Sequence, residues 1–274
     1  MPVRFTVITP CFNAQDWIGA TIASVLGQSV FADGRATLQY LVVDGGSADA
    51  TVAEAGKASA GHGGVEILSE PDEGMYDALA KGLARADGNI CCYINAGDLY
   101  HPQAFAVVAA VFEAGLARWL TGFHAVANVA GEVTDVRLPW RYRRAFFDCG
   151  LYGTVLPVVQ QESTFWARDL NRLVDLDRLR ACRLAGDFHL WRSFATEADL
   201  RIVAALLGVF RKVPGQLSAD AEGYRSELAS LCRPPTVAER LVARHDALRF
   251  RWLRTGRRRH RTHIVYDHRA GRWD

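Results

Sequence analysis

The chain has 274 residues, half of them hydrophobic, and a formal net charge of +2. That is enough apolar sequence to bury one large core unaided, and six cysteines scattered without CxxC spacing indicate neither a zinc site nor a disulfide framework. With no apolar stretch long enough for a membrane span and only a short one at the N-terminus, the expectation is a soluble or peripheral protein of a reducing, cytoplasmic compartment.

In chain order, Arg4 to Thr9 is a β-rich run closed by Pro10, followed by helical spacing of Ile18, Ile22, Val25 and Leu26. Leu38 to Val43 is a second strand, broken by Asp44-Gly45-Gly46-Ser47, with Ser47 expected to cap the Ala-rich helix beyond it. Val65 to Leu68 is a third strand, Met75, Leu79, Leu83 and Ala86 mark a helix, and Asn89 to Ile94 is a fourth strand entering Asn95-Ala96-Gly97-Asp98. Pro102 opens a helix to about Ala114. Continuous apolar strands alternating with helices predict an α/β fold with a parallel sheet covered on both faces. Ligands of such sheets sit beyond the carboxyl ends of the strands, where the polar clusters fall.

From Arg118 the pattern changes to antiparallel strands about the Ala130-Gly131 turn, then an aromatic stretch, a helix after Gly186-Asp187, and β structure from Leu200 to Val213 ending at Pro214. The remainder, from about Ser218, is expected to be helical and is set apart by charge. Nine Arg against Glu239 and Asp246 give +7 between Thr236 and Thr262, leaving −5 on residues 1–235. Two units are therefore expected, 1–215 and a basic helical extension, 216–274. With Val237, Leu241, Leu248, Phe250, Trp252 and Leu253 among its arginines, the extension either lies on an anionic membrane surface or packs on the first unit. No nucleic-acid-binding module accompanies the basic stretch.

Six segments in order, ITPCFNA, VVDGGSADAT, SEPDEGMYDALAKGLARADG, YINAGD, QQESTFW and AGDFHLW, make residues 4 to 213 resemble the family 2 glycosyltransferases. Within that family the chain is most similar to the bacterial surface-polysaccharide and colanic-acid-like group, in which NAGD or NSGD replaces NADD. The resemblance implies the GT-A fold, with a mixed, mostly parallel sheet and helices on both faces. It also implies an inverting transfer from a nucleotide diphosphate sugar to a polysaccharide or lipid-linked acceptor, assisted by Mg²⁺ or Mn²⁺.

By the same resemblance Asp98 is the metal-contacting residue, with Gly97 where a second carboxylate often stands. Pro10, Phe12 and Asn13 line the nucleoside pocket. Asp44 and Asp72 address the base or ribose, with uridine favoured because a carboxylate accepts an imide N–H. Gly45 and Gly74 allow close backbone approach, and Asp77, Lys81 and Asn95 lie on the donor side. Gln161, Glu162, Ser163 and Trp166 face the acceptor, Trp166 either stacking on a sugar ring or serving as core. Asp187 is the general base, or else an N-cap of the helix that follows.

Two alternatives from other classes remain, a catalytically silent nucleotide-sugar binding module and a nucleotidyltransferase. A phosphate-binding loop at Gly56-Lys57 fails, because Thr51 occupies its first glycine position and Ala58 its hydroxyl position. No GxGxxG follows the first strand, which removes support for a nicotinamide enzyme.

Overall fold

A computed structural model describes residues 3–213, 216–252, 260 and 262–274. Pro214, the Trp252 side chain, Leu253, Arg254, Arg257 to Arg259 and Arg261 lie outside the described residues. The first half alternates as expected: β1 (Val3–Cys11), α1 (Ile18–Leu26), α2 (Ser29–Ala32), β2 (Ala36–Asp44), α3 (Thr51–Ser59), β3 (Val65–Ser69), α4 (Met75–Arg85) and β4 (Ile90–Tyr93). Then come β5 (Leu99–Tyr100), α5 (Ala104–Glu113), β6 (Trp119–Thr121), β7 (His124–Ala127), β8 (Val133–Arg137), α6 (Arg144–Asp148), β9 (Thr164–Ala167), α7 (Leu176–Arg180) and α8 (Gly186–Phe194). The chain continues with β10 (Arg201–Val203), β11 (Gly208–Arg211), α9 (Ala221–Leu231), α10 (Val237–Trp252), β12 (His263–Ile264), β13 (Tyr266–Asp267) and β14 (Arg272–Trp273).

Eight strands form one sheet in the order β12-β10-β6-β9-β4-β1-β2-β3. Only β9 runs antiparallel to its neighbours, β4 and β6, so the sheet is mixed and mostly parallel. A second sheet, β5-β11-β7-β8, stands beside it and includes the expected hairpin, β7 with β8. Strand β4 is buried along its whole length, as a strand covered on both faces must be.

Helix α3 begins at Thr51 rather than just after Ser47, with Ala50 at its N-cap and Asp49, one residue earlier, accepting from the Thr51 backbone N–H through Oδ1 at 2.9 Å. Ser47 is instead drawn to Asp44 and Asn13.

The aromatic floor of the core corrects one expectation. Trp166 is fully buried, packed against Trp191 and Phe194 with ring centroids 5.8 and 5.4 Å away, and its indole N–H donates to Asn171 Oδ1 at 2.7 Å. With no surface to offer a sugar, Trp166 is core; the ring lies on β9 between β4 and β6 and faces inward with its neighbours.

Residues beyond 216 pack on the same core as those before it. Leu228 and Leu231 of α9, Ala243 of α10 and Ile264 of β12 join the main hydrophobic cluster, and β12 is an edge strand of the large sheet. Helix α10 turns Ala243 and Asp246 inward, Asp246 pairing with Arg143 at 2.6 Å. It leaves Val237, Leu241 and Leu248 exposed among Arg240, Arg244 and Arg251. No described helix is long and apolar enough to cross a membrane.

Truncating a buried Trp leaves a large void, so Trp166→Ala should lower unfolding stability by about 3–5 kcal/mol in chemical denaturation. An acceptor-stacking Trp would instead leave stability nearly unchanged.

Candidate active site

Four parallel strands end at one rim, and each hands its polar loop to the next. The β2 loop is organised by Asp44, only 1% exposed. Asp44 Oδ2 accepts from Gly46 N at 3.2 Å, Ser47 N at 3.0 Å and Ser69 Oγ at 2.7 Å, while Oδ1 takes the Ser47 hydroxyl. In this structure Asp44 is thus bound into its own loop, whose shape it sets.

Asn13, at a positive φ of 46°, ties the β1 loop to the same turn, its backbone N–H donating to Ser47 Oγ at 2.8 Å and its Oδ1 accepting from Ala48 N at 3.0 Å. Pro10 is buried at the end of β1, whereas the Phe12 ring stands 62% exposed on the rim.

Asp72 keeps solvent access, and burial raises its pKa. A Cβ on Gly45 would come within 2.7 Å of Asp72 Oδ2, so glycine there lets the second and third loops meet. Gly74, at φ 128°, starts α4 and donates its N–H to Asp72 Oδ1 at 2.9 Å. Lys81 lies 3.1 Å from Glu70 Oε1, 3.1 Å from the Pro71 carbonyl and 3.6 Å from Asp77, and Arg180 also reaches Asp77 at 3.5 Å. Asp77 and Lys81 therefore clamp the third loop.

Asp98 is 2% exposed and sits where the two sheets meet. Its Oδ1 accepts from the Arg211 backbone N–H at 2.9 Å and its Oδ2 from Gln161 Nε2 at 3.3 Å. Gly97, at φ 113°, donates to Thr21 Oγ1, which donates on to the Asp98 carbonyl, both at 2.9 Å. Burial pushes the Asp98 carboxyl well above the usual carboxylate range, against the pull of Arg211. Around it, buried Asn95 Oδ1, Gln161 Oε1, Glu162 Oε1 and the Tyr93 hydroxyl lack hydrogen-bond partners. Buried polar atoms without partners are rare, and oxygens beside a carboxylate suit a hard cation. Among the described residues, no group of three or more His, Cys, Asp or Glu side chains forms a metal cage, so most of a cation's ligands would come from elsewhere.

The 160–166 segment departs from expectation. Only Gln161 keeps surface. Glu162 is 1% exposed, and its carboxyl is raised by burial and by Asp98. The Ser163 hydroxyl donates between the Phe123 and Gly208 carbonyls at 3.1 and 3.2 Å. A Cβ on Gly208 would strike the Glu162 carbonyl, so β11 presses the turn inward and removes Glu162 and Ser163 from any open acceptor face.

Asp187 lies in the first turn of α8 and keeps a partly exposed edge. Its Oδ1 accepts from the Phe188 backbone N–H at 2.7 Å, and burial pushes the carboxyl up to about 7. Tyr93 and Glu162 each lie within electrostatic range of both Asp98 and Asp187, so the two carboxyls lie in the same region of the molecule. Sequence reasoning missed Arg211, whose guanidinium lies 5.6 Å over the Trp17 ring; the available signal was a basic pair closing the apolar β11.

The model for glycosyl transferase family 2 matches residues 6–151. An uncharacterized glycosyltransferase of Mycobacterium tuberculosis (strain ATCC 25618 / H37Rv) and its counterpart in strain CDC 1551 / Oshkosh are each 35% identical over 95 residues. That match takes in 35% of this chain and 34% of each relative. S. aureus TarS 1-349 in complex with UDP-GlcNAc superposes with a TM-score of 0.63 at 15% identity, over 89% of this chain and 71% of that one. The mannosyltransferase PcManGT from Pyrobaculum calidifontis, in complex with GDP-Man and Mn²⁺, gives 0.58 at 16%, over 94% and 76%. Glucosyl-3-phosphoglycerate synthase from Mycobacterium tuberculosis, with Mn²⁺, UDP-Glc and phosphoglyceric acid, gives 0.51 at 22%, over 86% and 82%. At these identities the likeness establishes the fold, GT-A.

A Cβ on Gly186 would enter the Tyr76 ring. Gly186→Ala should therefore cost about 1–3 kcal/mol through overpacking, whereas Gly19→Ala, with nothing within 4 Å, should be neutral or slightly stabilising in the same denaturation series.

Proposed function

The chain belongs to glycosyl transferase family 2, and from that premise we propose that it moves a sugar from a nucleotide diphosphate sugar to a hydroxyl of a glycan acceptor, inverting the anomeric centre. The observation that carries this reading is the pair Asp98 and Asp187, two carboxyls raised by burial, with Tyr93 and Glu162 in electrostatic reach of both. A single displacement needs one ionisable base facing the nucleophile and stabilisation of the leaving group on the other side.

Asp187 is the base. A carboxyl titrating near 7 is half ionised at neutral pH and matched to removing a hydroxyl proton as the new bond forms. Asp98 would hold Mg²⁺ or Mn²⁺, with the free oxygens of Asn95 and Gln161 alongside; such a cation, when bound, would neutralise charge on the departing diphosphate. The Arg211 guanidinium, fixed over Trp17, adds positive charge on that side. Phe12 and Asp72, with the Gly45 and Gly74 backbone, receive the nucleoside, and uridine is preferred because Asp72 accepts its imide N–H. Gln161 is the one residue of its motif left to approach the acceptor.

In this reading the groups that touch the donor, the metal and the acceptor lie within residues 1–215, and 216–274 form the extension packed against them. The NAGD form of the fourth motif is what favours an acceptor in surface-polysaccharide assembly, polymeric or lipid-linked. The outward Val237, Leu241 and Leu248 of α10, set among arginines, favour attachment to the anionic inner face of the plasma membrane.

Given a UDP-sugar, Mn²⁺ and a glycan acceptor, the protein should release UDP. Asp187→Asn should reduce release by at least about 100-fold while donor binding, read by thermal shift, persists. Because the base must be ionised, kcat/KM should fall about tenfold per pH unit below an inflection near 7. Donor binding without release would favour a silent binding module, and pyrophosphate release a nucleotidyltransferase. For the membrane component, liposomes rich in anionic lipid should retain the protein at low salt and lose it at high salt; retention indifferent to salt contradicts the electrostatic account.

A further inference from the structure

We propose that helix α9 is a working part of the transfer site, with Tyr224 and Glu227 acting as positioning residues for Asp187. The inference rests on the reading of Asp187 as the base and adds what holds it.

The Glu227 carboxylate gathers three successive backbone amides just before α8. It accepts from Arg183 N at 3.0 and 3.2 Å, from Leu184 N at 2.9 Å and from Ala185 N at 3.2 Å. The α8 N-terminus has no side-chain cap of its own, so an anion 42 to 44 residues along the chain orders the turn that delivers Asp187. The opposite side of the turn is held by α4, where the Tyr76 hydroxyl donates to the Leu184 carbonyl at 3.0 Å and its ring fills the space left by Gly186. Tyr224, one turn before Glu227 on α9, lies within electrostatic range of the Asp187 carboxyl.

Helix α9 is rigid enough for this task. Asp220 caps it, accepting from Gly223 N at 2.8 Å, Leu228 and Leu231 sink into the core, and Gly153 makes room for the Tyr224 ring. A helix needed only for stability has no reason to spend a carboxylate on the three amides that lead into the turn carrying a partly exposed acid.

The ionisable groups facing Asp187 are Tyr224 and Glu227 from α9, Tyr76 from α4, Tyr93 from β4, Glu162 from the turn before β9 and Cys182 from the loop before α8. Of these, Glu227 opposes ionisation of Asp187 by like charge, whereas the Tyr224 hydroxyl favours it.

The test is a pH profile of kcat/KM on the full chain for Tyr224→Phe and Glu227→Gln, with donor binding and thermal melting measured alongside. Tyr224→Phe should move the acid limb to higher pH, and Glu227→Gln should move it to lower pH, each by on the order of half a unit. Glu227→Gln should also lose roughly tenfold or more in kcat as the turn loosens. Variants that fold and bind donor but leave the limb where the unaltered protein has it would overturn the positioning role, as would two shifts in the same direction. Loss of UDP release by the unaltered protein, or retention of it by Asp187→Asn, would instead overturn the reading of the base itself.

Discussion

Around the buried ring of Tyr93, carboxyl groups are held away from water: Asp98 and Glu162 almost completely, Asp187 with one open edge. Withdrawing a carboxylate from solvent opposes its ionisation, and each buried acid opposes that of the next. Such a cluster persists only where the surroundings are rigid and supply donors. Here the Arg211 amide serves Asp98 and the Phe188 amide serves Asp187. Beneath them lies a floor of Trp119, Trp166, Trp191 and Phe194, whose rings contact one another at centroid distances of 5.4 to 5.8 Å. The partnerless oxygens left at this rim mark where the fold has given up internal satisfaction in favour of a ligand.

The sheet determines which groups can meet there. Parallel β1, β2 and β4 bring their loops to one end, and Gly45 allows the second and third loops to approach. The antiparallel β9 then carries in the 161–163 turn, and the smaller sheet lays β11 across it so that Arg211 reaches Asp98. Finally α9, after the last strand of that smaller sheet, closes on the turn before α8. The basic segment that charge alone would separate from the body is joined to it through Leu228, Leu231, Ala243 and the Asp246–Arg143 pair.

What could be read from the sequence was what local pattern encodes. Continuous apolar runs ending in Pro10, Asp44 and Asn95 located the strands and the rim, because strand burial and turn chemistry act over a few residues. What could not be read was side-chain destination. Asp44 and Asp72 look alike as loop acids, yet one is buried and hydrogen-bonded in its own turn and the other keeps solvent access, which depends in part on where β3 brings Ser69. Ser163 and Trp166 share a motif with Gln161 but face inward because β11 and the neighbouring strands cover them. Arg211 meets Asp98 across 113 positions and Glu227 meets Arg183 across 44, separations over which periodicity carries no information. Ser47 does not take the expected capping role, because it is tied to Asp44 and Asn13 while α3 starts later, at Thr51.

On the proposed function, one cleft would hold a cation at Asp98 and an acceptor hydroxyl at Asp187. Crystals grown with UDP and Mn²⁺ and measured at the manganese edge test it most directly. The account predicts a single strong anomalous peak beside the Asp98 carboxylate, bridged to the diphosphate, with the Asp187 carboxylate facing the open side of that site. Manganese bound elsewhere, or a diphosphate seated with Asp187 turned away from it behind intervening protein, would contradict the account.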